Sequence, residues 1–206
     1  MQFSEWEPHY QEILKYFNFD RSADEKAALI LSSLMHRDDI GIFTGLTEGN
    51  DVTVCGNAPG LKNELGKIRG VIFAADAAAE VLDAHKIRPH VIFTDLDGAT
   101  DRFIVMNDRG TLIVIHAHGD NIPLLQHWVP RFRGPLVATT QSTPLKNVYN
   151  FGGFTDGDRA VFAADELGAS HITLIGFDLD DKNVDRIKRG KLMWARRLLA
   201  LIGHAV

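Results

Sequence analysis

The feature that most constrains this chain is a series of six short apolar runs after residue 50. They are VTVC (52–55), GVIFA (70–74), HVIFT (90–94), TLIVIHA (111–117), PLVATT (135–140) and HITLIGF (171–177). A run that is apolar throughout, rather than alternating, is typical of a strand in a parallel sheet covered on both faces. Residues 76–86, 121–128, 155–167 and 186–202 are long enough to be crossover helices. The sequence therefore predicts an α/β fold: a doubly wound, mostly parallel sheet flanked by helices.

Two helical patterns precede the first run. Residues 5–17 and 22–35 place apolar side chains three and four positions apart on one face. Ser22 followed by Glu25 has the spacing of a capping box, which would start the second helix. We therefore predict an N-terminal helical annex over residues 1–50 and an α/β catalytic domain over residues 51–206.

Composition narrows the class of protein. The 22 Lys and Arg residues are outnumbered by 27 Asp and Glu residues, giving a formal charge of −5, which argues against a broad nucleic-acid surface. The single cysteine, Cys55, cannot form an internal disulfide, which fits a reducing cytoplasm. We find neither a signal-peptide pattern nor an apolar run long enough to cross a bilayer. The expectation is a cytoplasmic protein that binds neither nucleic acid nor membranes.

Aspartates follow several of the apolar runs, at the edge where open α/β sheets bind ligands. Asp76 follows the second run, Asp95 and Asp97 the third, and Asp120 the fourth. Any one of them can be a helix N-cap or a turn residue. Asp95 and Asp97, two apart on an extended strand end, are expected to point to the same side, where like charges repel unless a cation lies between them. Oxygen ligands at a sheet edge suit Mg²⁺, so the pattern predicts a magnesium site.

Two other strand ends carry candidate binding groups. Residues 56–60, GNAPG, form a glycine-rich turn whose backbone N–H groups could meet an anion at a helix N-terminus, although a plain tight turn explains them equally well. His116 and His118 alternate on a strand end beside Asp120. A hydrogen-bonding role in a pocket is favoured for them over a metal-ligand pair.

The stretch 150–159, NFGGFTDGDR, supports two interpretations. In one, Thr155 and Asp158 form a capping box and Gly168 ends the helix. In the other, the glycines at 152 and 153 let the backbone approach a ligand that the charged residues at 156, 158 and 159 contact.

The last helical segment carries six basic residues, at positions 186, 188, 189, 191, 196 and 197. Most runs of this kind are a solvated face opposite an apolar stripe. One or two of the early ones could instead reach a phosphate.

Five blocks, in order, resemble the archaeal 6-hydroxymethyl-7,8-dihydropterin pyrophosphokinase family: GNAPGL, FAADAAAEVL, RPHVIFTDLDG, IHAHGDN and NVYNFGGFTDGDRAVFAADELGASHITLIGFDL. The likeness runs from about residue 52 to the last helix. The order of the aspartates is also similar to thiamin pyrophosphokinase, whose fold is related. That family, however, shows GDxDS where this chain has TDLDG, and its β-rich C-terminal domain has no counterpart in this sequence. The resemblance therefore favours a pterin substrate.

The resemblance implies a diphosphokinase that transfers diphosphate from ATP to the hydroxymethyl group of a pterin and releases AMP, in tetrahydromethanopterin or folate biosynthesis. It leaves a homodimer open. It implies catalytic roles for Asp76, Asp95, Asp97 and Asp120, with Mg²⁺ held by Asp95, Asp97 and Asp120. The residues expected to bind nucleotide or substrate are Gly56, Asn57, Ala58, Pro59, Gly60, His118, Asn121, Thr140, Asn150, Gly152, Gly153, Asp156, Asp158 and Arg159.

Two other classes remain open. The segment FTDLDG, residues 93–98, is also similar to the first motif of haloacid-dehalogenase phosphatases, in which Asp95 would be a covalent nucleophile. That motif belongs on the opening strand of its fold, whereas two apolar runs with polar ends precede it here. The other class is a nucleotide-binding sensor that keeps the site and lacks turnover.

Overall fold

The computed structural model describes residues 1–204, so Ala205 and Val206, at the end of the predicted α/β domain, lie outside the described residues. All pairings between neighbouring strands are parallel. Each strand begins and ends within two residues of a predicted run, which confirms the α/β fold. The six strands found in this part of the chain are β1 Asp51–Cys55, β2 Val71–Ala75, β3 Val91–Thr94, β4 Leu112–Ala117, β5 Leu136–Thr140 and β6 His171–Ile175.

The helices surround this sheet, and the predicted helical segments are confirmed with small shifts at their ends. Two further helices, Ile40–Thr47 and Asp101–Asp108, were not predicted. The α-helices within residues 1–204 are α1 Phe3–Phe17, α2 Arg21–Leu34, α3 Ile40–Thr47, α4 Leu61–Glu64, α5 Ala78–Ala84, α6 Asp101–Asp108, α7 Ile122–Trp128, α8 Asp156–Glu166 and α9 Arg186–Leu201.

The strand order is β5-β4-β3-β2-β1-β6. From β1 to β5 the chain adds one strand at a time in one direction, and then β6 returns to the other side of β1. The chain leaves the carboxyl ends of β1 and β6 towards opposite faces of the sheet, because α4 packs in the hydrophobic cluster on one face and α9 in the cluster on the other. This is the topological switch point at which open α/β sheets bind ligands.

The hydrophobic core lies on both faces of the sheet. Successive side chains along a strand point to opposite faces, so Ile92 packs in the cluster under α2, α5, α6 and α7, while Val91 and Phe93 pack in the cluster under α3, α8 and α9. Burying each such side chain contributes about 1.5–3 kcal/mol. The continuous apolar runs are explained by this coverage of both faces.

Residues of the predicted annex contribute to all three hydrophobic clusters. Trp6 and Tyr10 of α1 pack with Trp194 of α9, Leu31 of α2 lies in the first sheet cluster, and Phe43 of α3 lies in the second. The first 50 residues thus share their buried surface with the α/β part of the chain.

One helix start differs from the prediction and another confirms it. Asp20, not Ser22, is the N-cap of α2, because its carboxylate accepts the Ser22 N–H at 2.9 Å and the helix begins at Arg21. Asn18, the C-cap residue of α1, is in the left-handed conformation, and the chain turns out of the helix there. For α8, Asp158 accepts the Thr155 N–H at 2.6 Å, so the predicted capping box is confirmed.

Within the described residues, none of the helices combines the length and the apolar character that crossing a bilayer requires.

Candidate active site

The carboxyl ends of the strands open into a cavity of about 530 Å³. The loops after all six strands contribute to its wall, together with the first turn of α8 and one face of α9. The junction between α1 and α2 completes it. The cavity therefore lies at the sheet edge where the sequence predicted the ligand site.

Three carboxylates converge at this edge. Asp76 follows β2, Asp95 follows β3, and Asp156 is the first residue of α8. One oxygen from each lies within 4.8 Å of the other two. Like charges at this distance repel unless a cation compensates them, and a set of carboxylate oxygens is the donor type that Mg²⁺ prefers. These three residues therefore fit a magnesium ion.

The backbone around Asp76 is shaped to present its carboxylate. Asp76 has a positive φ of 44°, its N–H donates to the Phe93 carbonyl at 2.7 Å, and its Oδ1 accepts from the Thr94 hydroxyl at 2.7 Å. A Cβ at Gly98 would lie 2.1 Å from Asp76 Oδ2, so this glycine leaves the room the carboxylate occupies. Burial, together with the charges of Asp97 and Asp95, raises the pKa of Asp76.

Asp95 is fixed by the loop after β4. Its Oδ2 is 3.3 Å from His118 Nε2, and its carbonyl accepts from Asn121 Nδ2 at 2.7 Å. Burial alone would raise the pKa of Asp95, but the His118 hydrogen bond and the charge of Arg159 outweigh it and hold the pKa well below the usual range. Asp95 is therefore the member of the cluster whose charged form its surroundings favour.

Asp156 completes the cluster through its partner Arg159. The guanidinium donates to Asp156 Oδ1 at 2.7 Å and to the Phe154 carbonyl at 2.8 Å. Burial raises the pKa of Asp156 to about 7. The charges of Asp95 and Asp76 act in the same direction, and the charge of Arg159 opposes them. The sequence placed Asp156 and Arg159 among the binding residues, but it did not indicate that Asp156 joins the two strand-end aspartates.

Asp97 and Asp120 line the cavity outside this three-carboxylate group. The expectation that Asp97 would align with Asp95 assumed an extended segment. Instead β3 ends at Thr94, and Leu96 has a positive φ of 73°, so the two-residue periodicity of a strand does not apply. Burial and the charge of Asp95 raise the pKa of Asp97, and Lys191 opposes this rise. Mg²⁺ ligation by Asp95, Asp97 and Asp120 stays a prediction.

The glycine-rich turn lies at the switch point. A Cβ at Gly56 would come within 2.6 Å of the Gly176 carbonyl oxygen, which shows how closely the loops after β1 and β6 approach each other. The next three residues of the turn, Asn57, Ala58 and Pro59, line the cavity, whereas Gly60 is the N-cap residue of α4 and does not. The predicted turn therefore faces the site with four of its five residues.

The other predicted binding residues divide into two groups. His118, Asp156 and Arg159 line the cavity. Gly152 and Gly153 pack against Phe162 and the Arg159 backbone, so close approach to α8 is what these glycines allow. The predicted residues that lie behind the cavity wall are Asn121, Thr140, Asn150, Gly152, Gly153 and Asp158.

Sequence reasoning left one part of the wall open and missed another. The basic run of α9, in which one or two early residues were expected to be able to reach a phosphate, supplies Lys188 and Lys191 to the wall. No sequence signal placed the α1–α2 junction at the site. The lining residues from this junction are Asn18, Phe19, Asp20, Ala23 and Asp24.

Several known proteins are similar to this chain in sequence. Residues 28–184 match the family described as 6-hydroxymethylpterin diphosphokinase MptE-like. Relatives named 6-hydroxymethyl-7,8-dihydropterin pyrophosphokinase include one from Methanothermobacter thermautotrophicus, 36% identical over 97% of this chain and 94% of its own. The relative from Pyrococcus furiosus is 41% identical over 86% of this chain and 78% of its own. The relative from Methanocaldococcus jannaschii is 32% identical over 97% and 95%.

A solved structure shares the fold at low identity. The MAf glycosyltransferase from Magnetospirillum magneticum AMB-1 superposes with a TM-score of 0.52 and 14% identity, covering 90% of this chain and 35% of that one. This likeness concerns the fold alone. The family match and the three relatives, at 32–41% identity over most of the chain, lead to one conclusion: the chain belongs to the MptE-like family of 6-hydroxymethylpterin diphosphokinases.

Proposed function

We propose that this chain transfers diphosphate from ATP to the hydroxymethyl group of 6-hydroxymethyl-7,8-dihydropterin and releases AMP. The observation that carries the proposal is the convergence of Asp76, Asp95 and Asp156 within 4.8 Å, in a cavity that Lys188 and Lys191 also line. Carboxylates that hold a divalent cation beside lysines suit a polyphosphate substrate. Family membership supplies the pterin as the acceptor.

The proposed step is an in-line displacement at the β-phosphorus. The hydroxymethyl oxygen forms a bond to the β-phosphorus, the bond from that phosphorus to the α,β-bridging oxygen breaks, and AMP leaves with the bridging oxygen. The hydroxyl proton passes to a carboxylate of the wall. Asp97 and Asp120 are our candidates for this base, because both line the cavity outside the three-carboxylate group.

The protein contributes by holding charges in place. His118 and Asn121 fix Asp95, Thr94 fixes Asp76, and Arg159 fixes Asp156. Bound Mg²⁺ would neutralise phosphate charge that develops during transfer. Because these side chains are hydrogen-bonded before the substrate arrives, little reorganisation is needed at the moment of reaction.

The experiment is to incubate the protein with ATP, Mg²⁺ and 6-hydroxymethyl-7,8-dihydropterin and to identify both products. We expect AMP and diphosphorylated pterin in equal amounts. ADP, or phosphate released without the pterin, would contradict the proposal.

The same material tests the two other classes. Trapping a phosphate on Asp95 would favour the phosphatase, since our proposal forms no aspartyl-phosphate. Binding of ATP with no product from either substrate would favour a sensor.

A further inference from the structure

Gln141 lies on the cavity wall at the far end of the site from the glycine-rich turn. It follows β5, the edge strand of the order β5-β4-β3-β2-β1-β6. Four strand spacings of about 4.8 Å separate β5 from β1, so this wall is roughly 19 Å from the strand that precedes the turn. The carboxylates after β2 and β3 lie between the two ends. If the nucleotide binds at the switch point, the acceptor has to approach from the β5 side.

The orientation of the Gln141 amide is fixed by Asp24. The Nε2 group donates to Asp24 Oδ2 at 2.7 Å, and a charged carboxylate only accepts hydrogen bonds. The NH₂ group therefore faces Asp24, and Oε1 is at the opposite end of the amide. Within residues 1–204 this oxygen has no hydrogen-bond partner. It is also not fully buried. It is thus an unpaired and not fully buried acceptor on a residue of the cavity wall that is 5% exposed overall.

Asp24 itself is held rigidly. Asp24 is 4% exposed, and its carboxylate also accepts from the Tyr10 hydroxyl at 2.7 Å and from the Gly119 N–H at 2.8 Å. The backbone of Gln141 is fixed as well, because its carbonyl accepts from Trp6 Nε1 at 2.8 Å. The two N-terminal helices therefore brace the loops after β4 and β5.

The charge of this wall favours a neutral ligand with N–H donors over a phosphate. Five lining residues form this part of the wall within residues 1–204, and none of them is lysine or arginine. They come from the first turn of α2, from the loop that follows His118 and from the loop that follows β5: Ala23, Asp24, Gly119, Asp120 and Gln141. The only charged side chains that a triphosphate would meet among these residues are the acidic ones, Asp24 and Asp120. A pterin presents its 2-amino group and N3–H as donors on one edge, which matches a fixed acceptor.

We infer that Gln141 determines specificity for the acceptor: its Oε1 accepts a hydrogen bond from the amino and N3–H edge of the pterin, and Asp24 is the positioning residue that fixes this orientation. The inference rests on the proposed function, because it assumes that the acceptor is a pterin.

Two variants test it. Gln141→Leu removes the acceptor. Asp24→Asn reverses the amide: the Asn carbonyl still accepts from Gly119, its NH₂ can donate to the Tyr10 oxygen and to Gln141 Oε1, and Gln141 then turns its own NH₂ towards the pterin donors. Leaving donors unpaired costs about 1–3 kcal/mol, so each variant should raise the pterin Kd and KM by about fivefold or more. The KM for ATP should stay within about twofold, and the Asp24→Asn melting temperature should be close to that of the unmodified protein.

The matched control is Lys188→Met, which should raise the KM for ATP and leave the pterin Kd unchanged. Pterin affinity is measured by titrating the pterin alone and following its fluorescence, so the result does not depend on turnover. An unchanged pterin Kd in folded Asp24→Asn, an equal rise in both KM values, or no pterin binding by the unmodified protein would overturn the inference. Pterin binding that is weakened in both variants but never leads to product would contradict the proposed function and support the role of Gln141.

Discussion

The charge of the Asp76 carboxylate lowers the stability of the folded protein. Burial, followed by the charges of Asp97 and Asp95, raises the pKa of this carboxyl, so at neutral pH folding disfavours its charged form. Asp76→Asn removes the charge and keeps an acceptor for the Thr94 hydroxyl. With chelator present we expect a melting temperature higher by a few degrees, since about 1 kcal/mol corresponds to roughly 2–4 °C in a domain of this size. Turnover should fall by about a hundredfold or more, because the variant loses a carboxylate of the cluster.

The sign of the pH dependence follows from the raised pKa. A carboxyl whose folded pKa exceeds its unfolded pKa contributes full stability below the unfolded pKa and loses it as the pH rises through the folded pKa. The melting-temperature gap between Asp76→Asn and the unmodified protein should therefore shrink as the pH is lowered from neutrality through the raised folded pKa, and it should have closed below the unfolded pKa of about 4. Asp101→Asn is the matched control, because Asp101 is 80% exposed and its surface ion pair with Arg131 contributes little. A gap that widens at low pH would contradict this account.

At the scale of elements, the carboxyl ends of β1 and β6 can approach each other closely because Gly56 and Gly176 lack a Cβ. A methyl group at Gly56 would lie 2.6 Å from the Gly176 carbonyl oxygen, so the strand ends would have to move apart. We expect Gly56→Ala to destabilise the protein by about 1–3 kcal/mol in urea unfolding and to raise the KM for ATP. Gly45→Ala in α3 is the opposite case, because nothing lies within 4 Å of the new Cβ, and alanine should stabilise that helix by about 0.5–1 kcal/mol. A similar effect of the two substitutions would show that the close approach is unimportant.

The same elements show what the sequence could predict. The strands were predictable because both faces of the sheet are covered, which makes each run continuously apolar. The predicted fold in turn placed the aspartates that follow the strands at the edge of the sheet where the cavity lies. Helix α6 was missed because in eight residues it buries only Phe103, Met106 and Asn107, too few for a clear helical period. The contact between Asp24 and Gln141 joins residues 117 positions apart, and no local pattern encodes it.

At the scale of the whole molecule, the chain carries a net charge of −5, yet its proposed substrate is a triphosphate. The cavity partly offsets this through Lys188, Lys191 and Arg159. Arg159, however, is already engaged by Asp156 at 2.7 Å. The remaining acidic wall would repel an uncomplexed nucleotide, so affinity should depend on a cation.

The last prediction concerns this dependence. A ligand that binds only the folded state stabilises it by about 2.7 kcal/mol at a hundredfold excess over its Kd, which is a melting shift of several degrees here. ATP with Mg²⁺ should produce this shift, and ATP with chelator should not, because Asp76, Asp95 and Asp156 then face the phosphates directly. In the double variant Asp95→Asn with Asp97→Asn, part of the repulsion is gone while Asp76 and Asp156 remain, so the dependence on Mg²⁺ should weaken and some ATP binding should remain. Equal shifts with and without Mg²⁺ in the unmodified protein would mean that the carboxylate cluster does not hold a metal ion for the nucleotide.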